Sequence, residues 1–207
     1  MSDTERFYNS SGQDARMAPD PRVVRTRARV MAAAWELLNE VGFDGVTVEL
    51  VSERSGVARS SLYRHWRTMP ELLRDAFAAQ ATLPDVQAED GLGALTSYAR
   101  AVAHGLTHVW GRAATSLAAS AAVDAQQRAV QRVFVEGTRR DLRAVVETGR
   151  RTGELAADVD VDVAVDRLLD LVVAPQFYRF QFTERPLTQE QAAALAARAW
   201  AALRADG

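Results

Sequence analysis

The stretch Val41–Leu73, VGFDGVTVELVSERSGVARSSLYRHWRTMPELL, decides the fold. It predicts two short helices joined by a tight turn. Thr47 stands where its hydroxyl can cap the first helix by accepting from an early N–H that has no intrahelical partner. Val48, Leu50 and Val51 give that helix a small apolar face. Ser55-Gly56 ends it, because glycine adopts the left-handed conformation that helix stops use, and Val57 plugs the turn. Ala58 to Trp66 forms the second helix, with Leu62 and Trp66 four residues apart on one buried face. The opposite face carries Arg59, Ser60, Ser61, Tyr63, Arg64 and His65, which are donors and small side chains with no acid among them. Base edges in the major groove and phosphates beside it present acceptors, so this face suits DNA. The pattern is a helix-turn-helix.

Upstream, Arg22 to Val41 predicts a longer helix with Val30, Ala34, Leu37 and Val41 on one stripe, widened by Trp35 and Leu38. Downstream, Pro70 suits the first turn of a further helix, which runs to about Ala81 and stops before Leu83-Pro84. Residues 1–20 are polar and rich in Ser, Asp, Gly and Pro, and read as a disordered arm. Everything after Asp90 has helical periodicity, with no alternation long enough for a sheet. Helices are expected at about 91–110, 113–124, 126–152, 160–184 and 188–205. Gly153 should stop the third of these, with Leu155 folding back on it. Asp158 and Asp160 place negative charge before the fourth, and Pro175 should kink it.

Composition sets outer limits. At 207 residues, with 48% hydrophobic and 25% charged content, the chain can bury a real core as a soluble globular protein. Zero cysteines exclude disulfides, thiolate metal sites and cysteine nucleophiles. Residues 1–20 do not form a signal peptide, and no apolar run is long enough to span a bilayer, so a cytoplasmic protein without membrane contact is expected. All 25 basic residues are arginine, which reads as the codon bias of a GC-rich genome. Net charge is −2, but residues 22–67 hold 8 Arg against 5 acids, and the remainder 17 against 22. The basic excess therefore sits on the helix-turn-helix unit.

The ordered set of a GF…T entry, the SGV turn and the LYRHW ending, followed by MPELL, resembles the N-terminal DNA-binding domain of the TetR family of transcriptional regulators. The likeness covers about the first third of the chain. Two positions depart from the family's usual pattern: Trp66 stands where Phe is common, and Met69 where Lys is common, with Arg67 close by. A second stretch, RRTGELAADVDVDVAVDRLLDLVVAPQFYRFQF with the following PLTQEQ, is similar to one branch of the family's C-terminal domains over about 150–204. The resemblance implies an all-α protein. A helix-turn-helix domain at 21–67 would precede a helical body at 68–207 that binds a ligand and forms a homodimer. It implies that Thr47, Tyr63 and His65 touch phosphates of double-stranded DNA while Arg59, Ser60 and Ser61 face base edges. It implies a small-molecule cavity between the fifth, seventh and eighth helices, with Trp110, Phe134 and Phe177 as walls and His104, His108, Thr138 and Gln176 as polar groups.

The remaining candidates are weighed on their own residues. His104 and His108, four apart on one helix, share a face, but no third ligand accompanies them, so no metal site is expected. No nucleophile elbow, phosphate loop or paired carboxylate stands out. Ser116 and Ser120 have no evident base, so no enzyme and no cofactor are expected. The helix at 160–184 is apolar nearly all round and must be buried on more than one side. The Ala-rich helix at 188–205 permits close approach. A monomer could bury the first of these helices alone, but the resemblance implies a two-fold four-helix interface, with Leu168, Val172, Ala196 and Trp200 as its subunit contacts. Arg139, Arg140 and Arg143 are expected to face solvent or an interface, leaving an apolar cavity for an uncharged or weakly charged hydrophobic effector. The resemblance implies a repressor released from a palindromic operator by that effector. A DNA-binding regulator under a protein partner, and a helical protein without DNA binding, remain as alternatives.

Overall fold

A computed structural model describes residues 21–80 and 88–205, all of whose regular elements are helices. The expected N-terminal arm lies outside the described residues. Helix α1 (Pro21–Val41) buries Val30, Ala33, Ala34, Leu37 and Leu38, the i, i+3, i+4, i+7, i+8 stripe of an amphipathic helix. After a turn come α2 (Val48–Ser55), α3 (Arg59–His65) and α4 (Met69–Gln80). Leu62 and Trp66 turn inward as expected and join Val51, Val57 and Phe43 under α1.

The larger body comprises α5 (Gly91–His104), α6 (Gly111–Val123), α7 (Ala125–Arg151), α8 (Val161–Leu168), α9 (Ala174–Phe182) and α10 (Gln189–Ala205). Two π-turns interrupt it, Gly105–Val109 between α5 and α6 and Leu169–Val173 between α8 and α9. The expected helix at 160–184 is thus α8 and α9 in continuity. The irregularity at Pro175 takes the form of that π-turn, after which the proline, which has no N–H to offer, enters α9 in its first turn. α10 packs along α5, α6 along α7, and α7 against both α5 and α8. Asp124 and Asp160 cap α7 and α8 by accepting from backbone N–H groups of Gln126, Gln127, Asp162 and Val163. Gly153 (φ +77°) stops α7, and Leu155, buried, folds back so that its N–H reaches the Gly149 carbonyl.

The helix-turn-helix unit is held to the body at two places. α4 packs on both α1 and α7. α6 grips the turn after α1: the Phe43 N–H donates to Ser116 Oγ (2.8 Å), and Ser120 Oγ donates to Asp44 Oδ2 (2.9 Å). Arg112 adds a bond to the Glu40 carbonyl (3.3 Å). Ser116 and Ser120, which carry no catalytic partner in the sequence, are structural fasteners.

Candidate nucleic-acid interface and effector cavity

The Thr47 hydroxyl accepts from the Leu50 N–H at 3.3 Å and starts α2. Gly56, in the left-handed conformation at φ +64°, ends it. The turn is pinned from α1, where Arg29 reaches the Ser55 carbonyl. Arg54 grips Glu40 through both Nη atoms at 2.8 Å each. That pairing holds the Glu40 carboxyl below its usual range and pushes the Arg54 guanidinium further up. Fixed in this way, α3 shows Arg59, Ser60, Tyr63 and Arg64 to solvent, while Ser61 and His65 are half-buried. Tyr63 is 55% exposed, too exposed for a core aromatic. Arg59 is not free: it pairs with Glu49 of α2 at 2.8 Å. The acid that the α3 sequence lacks arrives from the neighbouring helix.

Beyond α3, Trp66 is buried and its Nε1–H donates to Asp75 Oδ2 on α4 at 3.0 Å. The same oxygen accepts from Arg27 of α1 at 2.7 Å, and the Arg27 guanidinium lies 5.3 Å from the Trp66 ring centre. Asp75 Oδ1 accepts from Arg74 Nε and Nη2 at 3.2 and 2.8 Å. Burial opposes ionisation of Asp75, but these donors outweigh it and hold its carboxyl below the usual range.

A cavity of about 180 Å³ opens in the body. α5 contributes Tyr98 and Val102 to its wall, and α7 contributes Phe134, Gly137, Thr138, Arg140 and Asp141. Val173 and Phe177 close one side, Trp110 another, and α4 supplies Arg74, Phe77 and Ala78. Phe134 lies edge-on to Phe77 (5.3 Å between ring centres) and to Trp110 (6.0 Å). Phe77 in turn touches Trp35 (5.8 Å) and Phe43 (5.9 Å), so aromatic contacts run unbroken from the cavity to α1. Burial, and then the charge of Asp141, keep the Tyr98 phenol protonated. Burial also raises the Asp141 carboxyl, with Arg140 opposing. Both π-turns abut this cavity: one leads directly into Trp110, and the other ends at Val173.

Residues 87–199 match the family model for the tetracyclin repressor-like C-terminal domain, and residues 30–76 match that for bacterial regulatory proteins of the tetR family. The chain belongs to the TetR family of transcriptional regulators. It is 30% identical over 166 residues to the uncharacterised HTH-type transcriptional regulator YdeS of Bacillus subtilis, covering 79% of this chain and 82% of that protein. Over 49 residues it is 51% identical to the class A tetracycline repressor of Escherichia coli, 24% of this chain and 22% of that one. The solved TetR family transcription regulator SCO0332 superposes with a TM-score of 0.66 at 27% identity, covering 86% of this chain and 97% of that one. This regulator therefore carries a DNA-binding helix-turn-helix and acts in transcription.

Several residues of the regulator stand away from their expected places. Trp110, Phe134, Thr138 and Phe177 line the cavity together, but His104, His108 and Gln176 do not. The two histidines are exposed, stacked on each other at 4.7 Å, and border a shallow groove with Pro186 and Leu187. His104 is the last residue of α5, and His108 lies within the π-turn that follows it. Gln176 is buried within the core, its Nε2 donating to the Val172 carbonyl. Arg140 borders the cavity, whereas Arg139 and Arg143 pair with Asp166 and Asp162 of α8. Leu168, Val172, Ala196 and Trp200 are no more than 2% exposed inside the single chain, so they are core rather than an open subunit face. Asp75, Arg74 and Phe77 were missed. Their helix reads as a plain amphipathic one, and only the packing shows that it faces two ways.

Proposed function

We propose that this regulator is a homodimeric repressor of a near-palindromic operator in double-stranded DNA, released by a small, largely apolar effector. Residues 21–67 form the reader and 68–207 the effector and dimer body, acting in the cytoplasm. Each α3 enters a major groove, with Arg59, Ser60 and Ser61 toward base edges and Thr47, Tyr63 and His65 toward phosphates. Two subunits read two half-sites one helical turn apart. The second copy packs on the outward face of α8, α9 and α10, where Val163, Leu171 and Tyr178 are exposed beside the Ala-rich outer side of α10.

The observation that carries this reading is the double duty of α4. One side of it forms the cavity wall through Arg74 and Phe77, and the other holds Trp66 at the end of α3 through Asp75. An effector that fits the cavity only when α4 shifts stabilises a state with misplaced readers, which is what release requires. The cavity is smaller than the roughly 300–1,000 Å³ of most ligand clefts, so the effector is compact. No cofactor is needed for any of these steps.

The test is an electrophoretic shift at stated salt with the DNA upstream of the regulator's own gene, followed by a compound screen for release. Specific, salt-sensitive binding that a hydrophobic compound reverses supports the reading. Thr138→Trp, which fills the cavity, should then keep the DNA shift and lose the release. Absence of specific DNA binding by the folded protein refutes the reader, and release that Thr138→Trp leaves intact refutes the effector site.

A further inference from the structure

The walls of the cavity carry more charge than its aromatic character suggests, and the charge is unequal. Two guanidiniums, Arg74 and Arg140, face one carboxylate, Asp141. Arg140 is three-quarters exposed and its contact with Asp141 is 3.8 Å long, beyond hydrogen-bond reach. Arg74 gives Nε and Nη2 to Asp75, two of the places on a group with five N–H donors. The hydroxyls of Tyr98 and Thr138, hydrogen-bonded to each other, line the same cavity. An ammonium head would meet two guanidiniums. With Asp75, which pairs with Arg74, and its second partner Arg27 counted as well, three guanidiniums stand against two carboxylates, and a dianion would exceed that single net positive charge. One carboxylate matches it, and guanidinium groups take carboxylates in a planar, two-pronged fit.

Resting on the reading of this cavity as the effector site, we propose that the effector is a hydrophobic monocarboxylate whose head group is taken by Arg74 and Arg140 in competition with Asp75. The competition has a direct line to DNA. Asp75 is the carboxylate that holds Trp66 and Arg27, so a ligand that draws Arg74 away acts on the group that fixes α3 against α4 and α1. Both carboxylates want Arg74, so occupation of the cavity and the bonding of Asp75 to Trp66 and Arg27 are coupled.

The experiment is calorimetric titration of the purified full chain with naphthalene-2-acetic acid, its neutral primary amide, and 2-(naphthalen-2-yl)ethylamine. Wild type, Arg74→Gln, Arg140→Gln and Asp75→Asn are compared. The acid should bind wild type about tenfold tighter than the amide, as charge-assisted hydrogen bonds would give. That preference should fall to about threefold or less in Arg74→Gln and decline in Arg140→Gln. Asp75→Asn should bind the acid about two- to fivefold tighter, the scale of a partly exposed ion pair. Its amide affinity should not change, which also reports an intact cavity. Equal binding of acid and amide, strongest binding of the amine, an acid preference that survives both arginine changes, an unaltered acid affinity in Asp75→Asn, or no binding at millimolar concentration each overturns the proposal. Amide binding without acid preference overturns it while leaving the effector cavity in place, and the DNA shift tests the reader separately.

Discussion

The Arg59 guanidinium is already engaged by Glu49 at 2.8 Å, both side chains more than half exposed. Such a pair is worth less than about 1 kcal/mol and yields readily to a guanine edge that takes two N–H groups at once. Loss of Arg59 and loss of the Tyr63 hydroxyl should therefore differ in kind. Arg59→Ala should cost about 1–3 kcal/mol on the operator and relax base preference at one position per half-site. Tyr63→Phe should weaken operator and unrelated DNA alike. Fluorescence anisotropy on both DNAs separates the two, and equal behaviour of the variants would mean that α3 is not the reader. A second residue, Glu154, follows α7 and caps α5: its carboxylate accepts from the N–H groups of Gly91 and Leu92 and from the Thr152 hydroxyl. Burial opposes its ionisation, yet these donors hold its carboxyl below the usual range. A carboxyl lowered on folding stabilises the protein above its unfolded value and loses that contribution as pH falls through the folded one. Glu154→Gln should thus unfold at a lower temperature at pH 7, with the gap to wild type closing as the pH drops through and below the carboxylate range. A gap that widens in acid would contradict the capping role.

At the scale of elements, α5, α7 and α10 meet in close packing. The Trp200 indole of α10 lies between Gly91 and Gly149, and a Cβ at either would stand 2.5 Å from the ring. Rigid and only 2% exposed, the ring cannot step aside. Alanine ordinarily favours a helix over glycine by about 1 kcal/mol, but overpacking costs about 1–3 kcal/mol. Gly149→Ala should lower stability in urea unfolding. Gly137→Ala on the same helix meets only an Arg140 nitrogen at 3.7 Å and should raise it. If both substitutions stabilise, the contact between Trp200 and α7 is looser than described. The same crowding explains the first π-turn: a Cβ at Gly105 would fall 2.1 Å from Trp110 Nε1, so the chain widens there to seat the indole over a glycine. Periodicity legibly predicts α5, α7 and α10, because their apolar residues recur every three or four positions. It does not predict a π-turn, which adds one residue to a turn without altering the composition of either flank.

For the molecule as a whole, the question is which face of the α8–α9–α10 layer meets a second subunit. Leu168 is wholly buried within the chain, and Leu171, three residues on, is 41% exposed. Leu168→Arg buries an unpaired charge in the protomer and should unfold it. Leu171→Arg should leave the protomer folded and split the proposed dimer. Sedimentation together with circular dichroism distinguishes the outcomes, and a wild-type monomer at micromolar concentration would refute the dimer itself. Two attachments then connect subunit to reader, α4 through Asp75 and α6 through Ser116 and Ser120. With α6 fixed on the turn before α2, the proposed movement of α4 would tilt α3 about that point instead of releasing the whole unit.

The sequence by itself determined the helices, their stops and the family. These are set within a few residues of each other: a threonine cap at Thr47, a glycine stop at Gly56, an apolar stripe along α1. It also placed Trp110, Phe134, Thr138 and Phe177 on one cavity, because the resemblance implied which helices meet there. Tertiary structure alone decided which side of each helix faces inward. Leu168 and Leu171 are both leucines on one apolar helix, and only packing against α7 and α10 makes one core and the other surface. It also joined residues far apart in the chain, Arg27, Trp66 and Asp75 into one knot and Glu49 with Arg59 into another. Charge pairing depends on distance in space, and sequence spacing fixes that distance only within a single helix.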